Sequence, residues 1–109
     1  MRNPIWDVWP DEYAALVREA IAIRWLIYIN GGNASKSVVE DVLLSRHGEI
    51  DRSFAHDIMN AIEQHDLCGA MFRDRRWYGG AEPAFADYPE IARADIRWYD
   101  GRPQFTEEA

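Results

Sequence analysis

Cysteine is nearly missing from this 109-residue sequence: Cys68 is the only one. That excludes a disulfide within the chain and a zinc site built from cysteine pairs, and it fits a reducing cytoplasm. Long apolar runs are missing as well. The longest, Ile21 to Ile29, is interrupted by Arg24 and falls far short of the ~20 residues a membrane-spanning helix needs. The opening stretch MRNPIWDVWPDEY lacks the apolar segment of a signal peptide. The expectation is a cytoplasmic chain without a membrane span.

Signatures of nucleotide binding and nucleophilic catalysis are absent too. No G-x-G-x-x-G, P-loop or nucleophile-elbow pattern occurs, and the glycine pairs at 31 and 79 read as a helix stop and a turn. His47, His56 and His65 are nine residues apart, which on a helix sets His56 and His65 about 180° from each other. They cannot chelate one metal together. His65 and Cys68 have i, i+3 spacing, but two ligands are short of the four zinc prefers, so a half-buried histidine and a small core cysteine fit better. Glu40 with Asp41, and Glu107 with Glu108, read as solvated surface. The chain is expected to be a non-enzyme with no catalytic residue, cofactor or metal site.

What the sequence does have is apolar mass and negative charge. Hydrophobic residues make up 48% of it, with five Trp, five Tyr and four Phe, a composition that packs into one globular domain over residues 1–109. The net charge of −7 is unevenly spread. Residues 31–67 carry three basic against seven acidic side chains, and so do residues 81–109; only 68–80 is basic, with Arg73, Arg75 and Arg76 against Asp74. Most of the surface would repel a phosphate backbone at long range.

Local patterns predict the elements. Pro10 at a first helical position, followed by Asp11 and Glu12, opens a helix to about Ile29, with Tyr13, Leu16, Val17, Ala20, Ile21, Trp25 and Tyr28 at helical spacing and Asn30-Gly31-Gly32 as its stop. Ser37 and Glu40 have capping-box spacing ahead of Val38, Val39, Val42 and Leu43, with Gly48 as terminator. Asp51 caps a third helix whose inward stripe is Phe54, Ile58, Ala61, Ile62 and His65. CGAMFRDRRWYGG then alternates like a β-hairpin, and Asp100-Gly101 in IRWYDGRPQF signals a type I′ hairpin. Between them, Asp87 is placed to cap a short turn through Arg93. Trp6 and Trp9 read as a hydrophobic staple, with a docking surface as the other reading.

DRRWYGG, from Asp74, returns as DIRWYDG, from Asp95. As two strands of one sheet, both copies would bury Trp and present Arg76 and Tyr78, and Arg97 and Tyr99, on the outer face.

AIRWLIYINGG, SVVEDVLLSRHGEIDRSFAHDIMNAIEQHDL and CGAMFRDRRWYGG, in that order, resemble the winged helix-turn-helix superfamily over about residues 11–80. The resemblance implies an α+β fold of three helices followed by a small antiparallel β-sheet, with residues 81–109 adding a loop and a β-hairpin. It also implies that the third helix and the wing form the contact surface. For DNA the contacts would be Arg52, His56, Asn60, Gln64, Arg73, Arg75 and Arg76. Asp57 and Glu63 are ill suited to a groove between phosphates, so the reading preferred here is a non-enzymatic acidic module that docks on a protein with a basic surface. Its contact set is Glu49, Asp57, Asn60, Glu63, Gln64, Arg76, Tyr78, Arg97 and Tyr99. In size and charge the chain resembles small phage inhibitors, including anti-CRISPR proteins that mimic DNA. The alternative is a DNA-binding transcriptional regulator, and either would be a monomer or a homodimer.

Overall fold

The computed structural model describes residues 10–78 and 80–93. Among them are the helices α1 (Asp11–Ile29), α2 (Lys36–Arg46), α3 (Arg52–Gln64), α4 (Gly69–Asp74) and α5 (Pro89–Arg93), with a 3-10 turn at Phe85–Asp87 before the last. None is long and apolar enough to cross a membrane.

α1 is the axis of the fold. From Ala20 to Ile27 every residue except Arg24 is buried, so this half is wrapped on all sides, as its continuous apolar sequence requires. Trp25, Ile23 and Ile27 meet Val39, Val42 and Leu43 of α2 and Ile58, Met59 and Ile62 of α3 in one core. Ile91 of α5 is also fully buried there.

The caps adjust the expected boundaries by a residue or two. Pro10 lies at the N-cap of α1, one position before the first helical residue. α2 starts from Ser35, whose Oγ accepts from the Val38 N–H at 3.5 Å, so the expected Ser37–Glu40 box is replaced by a cap two residues earlier. Asp51 caps α3 as the sequence predicts, its carboxylate accepting from Phe54 N–H at 2.9 Å. The inward stripe of α3 is shifted: Ala55 and Met59 are buried with Ile58 and Ile62, while His65 is exposed.

The expected α+β architecture is overturned. No strand or sheet occurs among the described residues, and the segment read as the wing is the six-residue helix α4 followed by a turn and chain without regular structure. The reason is that Met71 and Phe72 both need cover. Neighbours on a strand point to opposite faces, whereas a helical turn puts Cys68, Met71 and Phe72 on one side at i, i+3, i+4. Cys68 and Met71 enter the core, and Phe72 stacks on Tyr28 of α1 with centroids 4.4 Å apart and planes 11° from parallel. Trp77 packs at 6.0 Å from Trp25 without any strand pairing. The second copy of the motif and the hairpin expected around Asp100-Gly101 lie outside the described residues, as do Trp6 and Trp9.

Three helices end in left-handed residues: Gly31 (φ 84°), Asp66 (φ 50°) and Arg75 (φ 52°). Each is followed by an N–H that reaches back five residues, Gly32 to Ile27 O at 2.8 Å, Leu67 to Ile62 O at 3.0 Å and Arg76 to Met71 O at 3.1 Å, the Schellman closure. Asp66 also presses its carboxylate against Gly69, where any Cβ would collide with it. Gly31→Ala is therefore expected to cost about 1 kcal/mol. Asp66→Gly is expected to add about 0.5 kcal/mol, because glycine adopts the left-handed conformation without strain. Urea unfolding midpoints of the two variants check both signs.

Candidate interaction surface

The joint between α2 and α3 is built around a carboxylate. Glu40 is 5% exposed, and a buried carboxylate is costly unless paired and hydrogen-bonded. Arg52 Nη1 donates to its Oε1 at 3.2 Å and His56 Nδ1 to its Oε2 at 3.0 Å. Arg52 and His56 stand four residues apart on α3, so one turn of that helix supplies both partners. Arg52 also donates to Asp41 at 2.7 Å. The solvated reading of Glu40 is thus corrected: its side chain is the polar link between two helices, and Asp41 alone faces water.

The expected contact residues are distributed as follows. Lys36 Nζ donates to Asn60 Oδ1 at 3.3 Å and lies 3.4 Å from Glu63 Oε1, while Arg24 reaches the same carboxylate at 3.9 Å. Asn60 and Glu63 are therefore engaged within the chain. Asp57 and Gln64 are exposed on α3. Glu49 is exposed in the turn before α3, 3.5 Å from His47 Nδ1. Of the residues proposed for DNA, Arg52 and His56 are bound to Glu40 although both side chains are exposed, and Arg73, Arg75 and Arg76 are exposed as well.

Those arginines flank an aromatic stack. Arg75 lies 5.2 Å over Tyr28, Tyr28 stacks on Phe72, and Arg24 lies 5.6 Å over the Phe72 ring, a ladder with a cation at each end. Beyond it Tyr78, 52% exposed, donates its hydroxyl to Asp74 Oδ2 at 2.5 Å. That hydrogen bond, more than the nearby charges, raises the Tyr78 hydroxyl above its ordinary pKa. Arg97 and Tyr99 lie outside the described residues.

A second ionic cluster holds the other side of the fold. Arg46 bridges Glu19 of α1 and Glu90 of α5, the latter at 2.5 Å, and covers the Tyr88 ring at 4.5 Å. His47 Nε2 lies 2.9 Å from Glu19 Oε1, so this ring has a carboxylate near each nitrogen. The long sequence separation between these partners leaves no local pattern by which to find them.

The three cations of residues 31–67, Lys36, Arg46 and Arg52, are all bound to carboxylates of the chain itself. The exposed carboxylates of the α2–α3 face are Asp41, paired with Arg52, and Glu49, Asp51 and Asp57. Among the described residues no three His, Cys, Asp or Glu side chains are placed to hold a metal ion.

Two outcomes follow for this region. Glu40→Ala is expected to lower stability by about 2 kcal/mol, and Glu40→Gln by about half as much, because the amide keeps one acceptor oxygen for Arg52 or His56 where the carboxylate has two; chemical denaturation measures both. Cys68 is buried and its thiol is pushed up to about 11, first by that burial. The unfolded thiol ionises near 8.5–9, so stability present below that range is lost as pH rises through it towards 11. A disulfide dye at pH 8 should label Cys68 only at the unfolding rate, and Cys68→Ala should remove the alkaline loss.

Comparison of the chain with protein-family models, with curated proteins and with solved structures gives no match.

Proposed function

We propose that this chain is a non-enzymatic interaction module of the cytoplasm that docks its acidic α2–α3 face on a basic surface of a partner protein. One observation carries the reading: every cation of residues 31–67 is bound to a carboxylate of the chain itself, while Asp41, Glu49, Asp51 and Asp57 remain exposed. A helix that reads DNA needs the opposite arrangement, with its arginines and lysines available to phosphates. Carboxylates displayed along helices can stand in for phosphates, and the complementary field speeds encounter and selects partners. A surface that normally holds nucleic acid is the partner chemistry this fits best. An inhibitor of the phage anti-defence kind, anti-CRISPR proteins included, is one setting for such a module.

The second reading is a DNA-binding regulator, and the specific observation in its favour is the exposed group Arg73, Arg75 and Arg76. Fluorescence anisotropy with random duplex DNA at about 50 mM salt separates the two. The interaction reading expects no binding of DNA and capture of a basic protein from the source cell. Micromolar DNA affinity that falls steeply with salt would replace it with the regulator. Asp57→Lys is the cleaner charge reversal, because Glu63→Lys would also break the pairs with Lys36 and Arg24. It should weaken the captured partner severalfold, and would strengthen DNA binding if that face met phosphate instead.

A further inference from the structure

Where α1 begins beside α3, the surface sinks into an open depression of about 440 Å³ lined by Pro10, Glu12, Tyr13 and Phe54. Its walls are mostly ring and aliphatic carbon: Tyr13 and Phe54 meet edge to face, centroids 5.8 Å apart at 75°, and both are only partly buried. Acidic side chains stand at and near it. Glu12 lines the depression. Asp51, hydrogen-bonded to the Phe54 N–H, and Asp57, one helical turn beyond Phe54, are exposed on α3. The Tyr13 hydroxyl is held above its ordinary pKa, by partial burial first and by the charge of Asp57 second, which places that carboxylate within electrostatic reach of the ring. Among the described residues no lysine or arginine lines the depression.

Resting on the proposed acidic docking face, we infer that the Tyr13–Phe54 depression is its anchor point and receives an arginine side chain of the basic partner. Aromatic walls and a carboxylate rim suit a guanidinium on both counts. Its plane can lie against a ring, its methylenes cover apolar carbon, and its N–H fork reaches Asp57 or Glu12. Arginine is favoured over lysine because the compact, strongly hydrated ammonium gives up more hydration to enter an apolar cleft. A neutral apolar side chain would fill the cleft but leave the ring of carboxylates unmatched.

The test titrates the full chain with nona-arginine, nona-lysine and an uncharged glycine-serine peptide, following the proton spectrum and the affinity. Nona-arginine should bind more tightly than nona-lysine, with the side-chain methylene resonances of arginine moved upfield by the ring currents of Tyr13 and Phe54. Phe54→Leu keeps an apolar side chain but removes the ring, and should weaken nona-arginine about fivefold and abolish the upfield shift, whereas Phe54→Trp should retain or strengthen binding. Asp57→Asn should weaken it and flatten its salt dependence. If nona-arginine binds and Asp57→Asn weakens it, but neither Phe54→Leu nor Tyr13→Leu changes affinity or shifts, the anchor inference is overturned and the acidic docking face stands. If neither cationic peptide binds the unmodified chain at low salt, the docking face itself is overturned. Circular dichroism of each variant checks that its helices remain.

Discussion

A carboxylate taken out of water has few ways to be tolerated, and Glu40 is the group around which this fold is arranged. It sits among Val39, Val42 and Leu43, whose burial commits α2 to the core, and a carboxyl group is tolerated there only if hydrogen-bond donors come to it. α3 brings two donors on one turn, Arg52 and His56. That geometry restricts the register of α3 against α2 more sharply than apolar contact alone, since a stripe of aliphatic residues tolerates sliding and a bidentate carboxylate does not. Arg52, at 55% side-chain exposure, remains at the rim, so the link has one dry end and one wet end.

The electrostatic character of the surface follows from the same economy. Lys36, Arg46 and Arg52 hold α1, α2, α3 and α5 together, and each of them is paired with a carboxylate of the chain itself. What remains on the α2–α3 side is acidic. Arg73, Arg75 and Arg76 are exposed in and just after α4, where Arg75 and Arg24 flank a stack of Tyr28 and Phe72. Among the described residues, Asp41, Glu49, Asp51 and Asp57 are thus exposed on the α2–α3 side, and these three arginines in and just after α4.

Much of this was legible in the sequence and some was not. The three long helices, the stop at Gly31 and the cap at Asp51 follow from periodicity and local chemistry, both short-range, and the structure agrees with them. α4 was misread as a strand because its alternation is only a few residues long. The competing signal, Cys68, Met71 and Phe72 at helical spacing, was present but became decisive only with Tyr28 to stack against. Glu40 was misread because a charged residue is normally solvated, and its partners lie 12 and 16 residues away. Arg52 and His56, four apart and both able to face one carboxylate, were the available hint. His65 was misplaced because it is the C-cap of α3, beyond the buried stripe of Ala55, Ile58, Met59 and Ile62.

Arg46 draws one more consequence. Its guanidinium is shared between Glu19 on α1 and Glu90 on α5 while its plane covers Tyr88. A cation divided between two carboxylates cannot be released by one without altering its hold on the other. α5, only five residues long, would fray readily on its own. Tied in this way, and with Ile91 seated in the core, it opens as part of the same cooperative unit as the middle of α1. The distant end of the described chain thus reports on its centre: amide exchange in α5 should follow the global unfolding equilibrium, with no separate local opening.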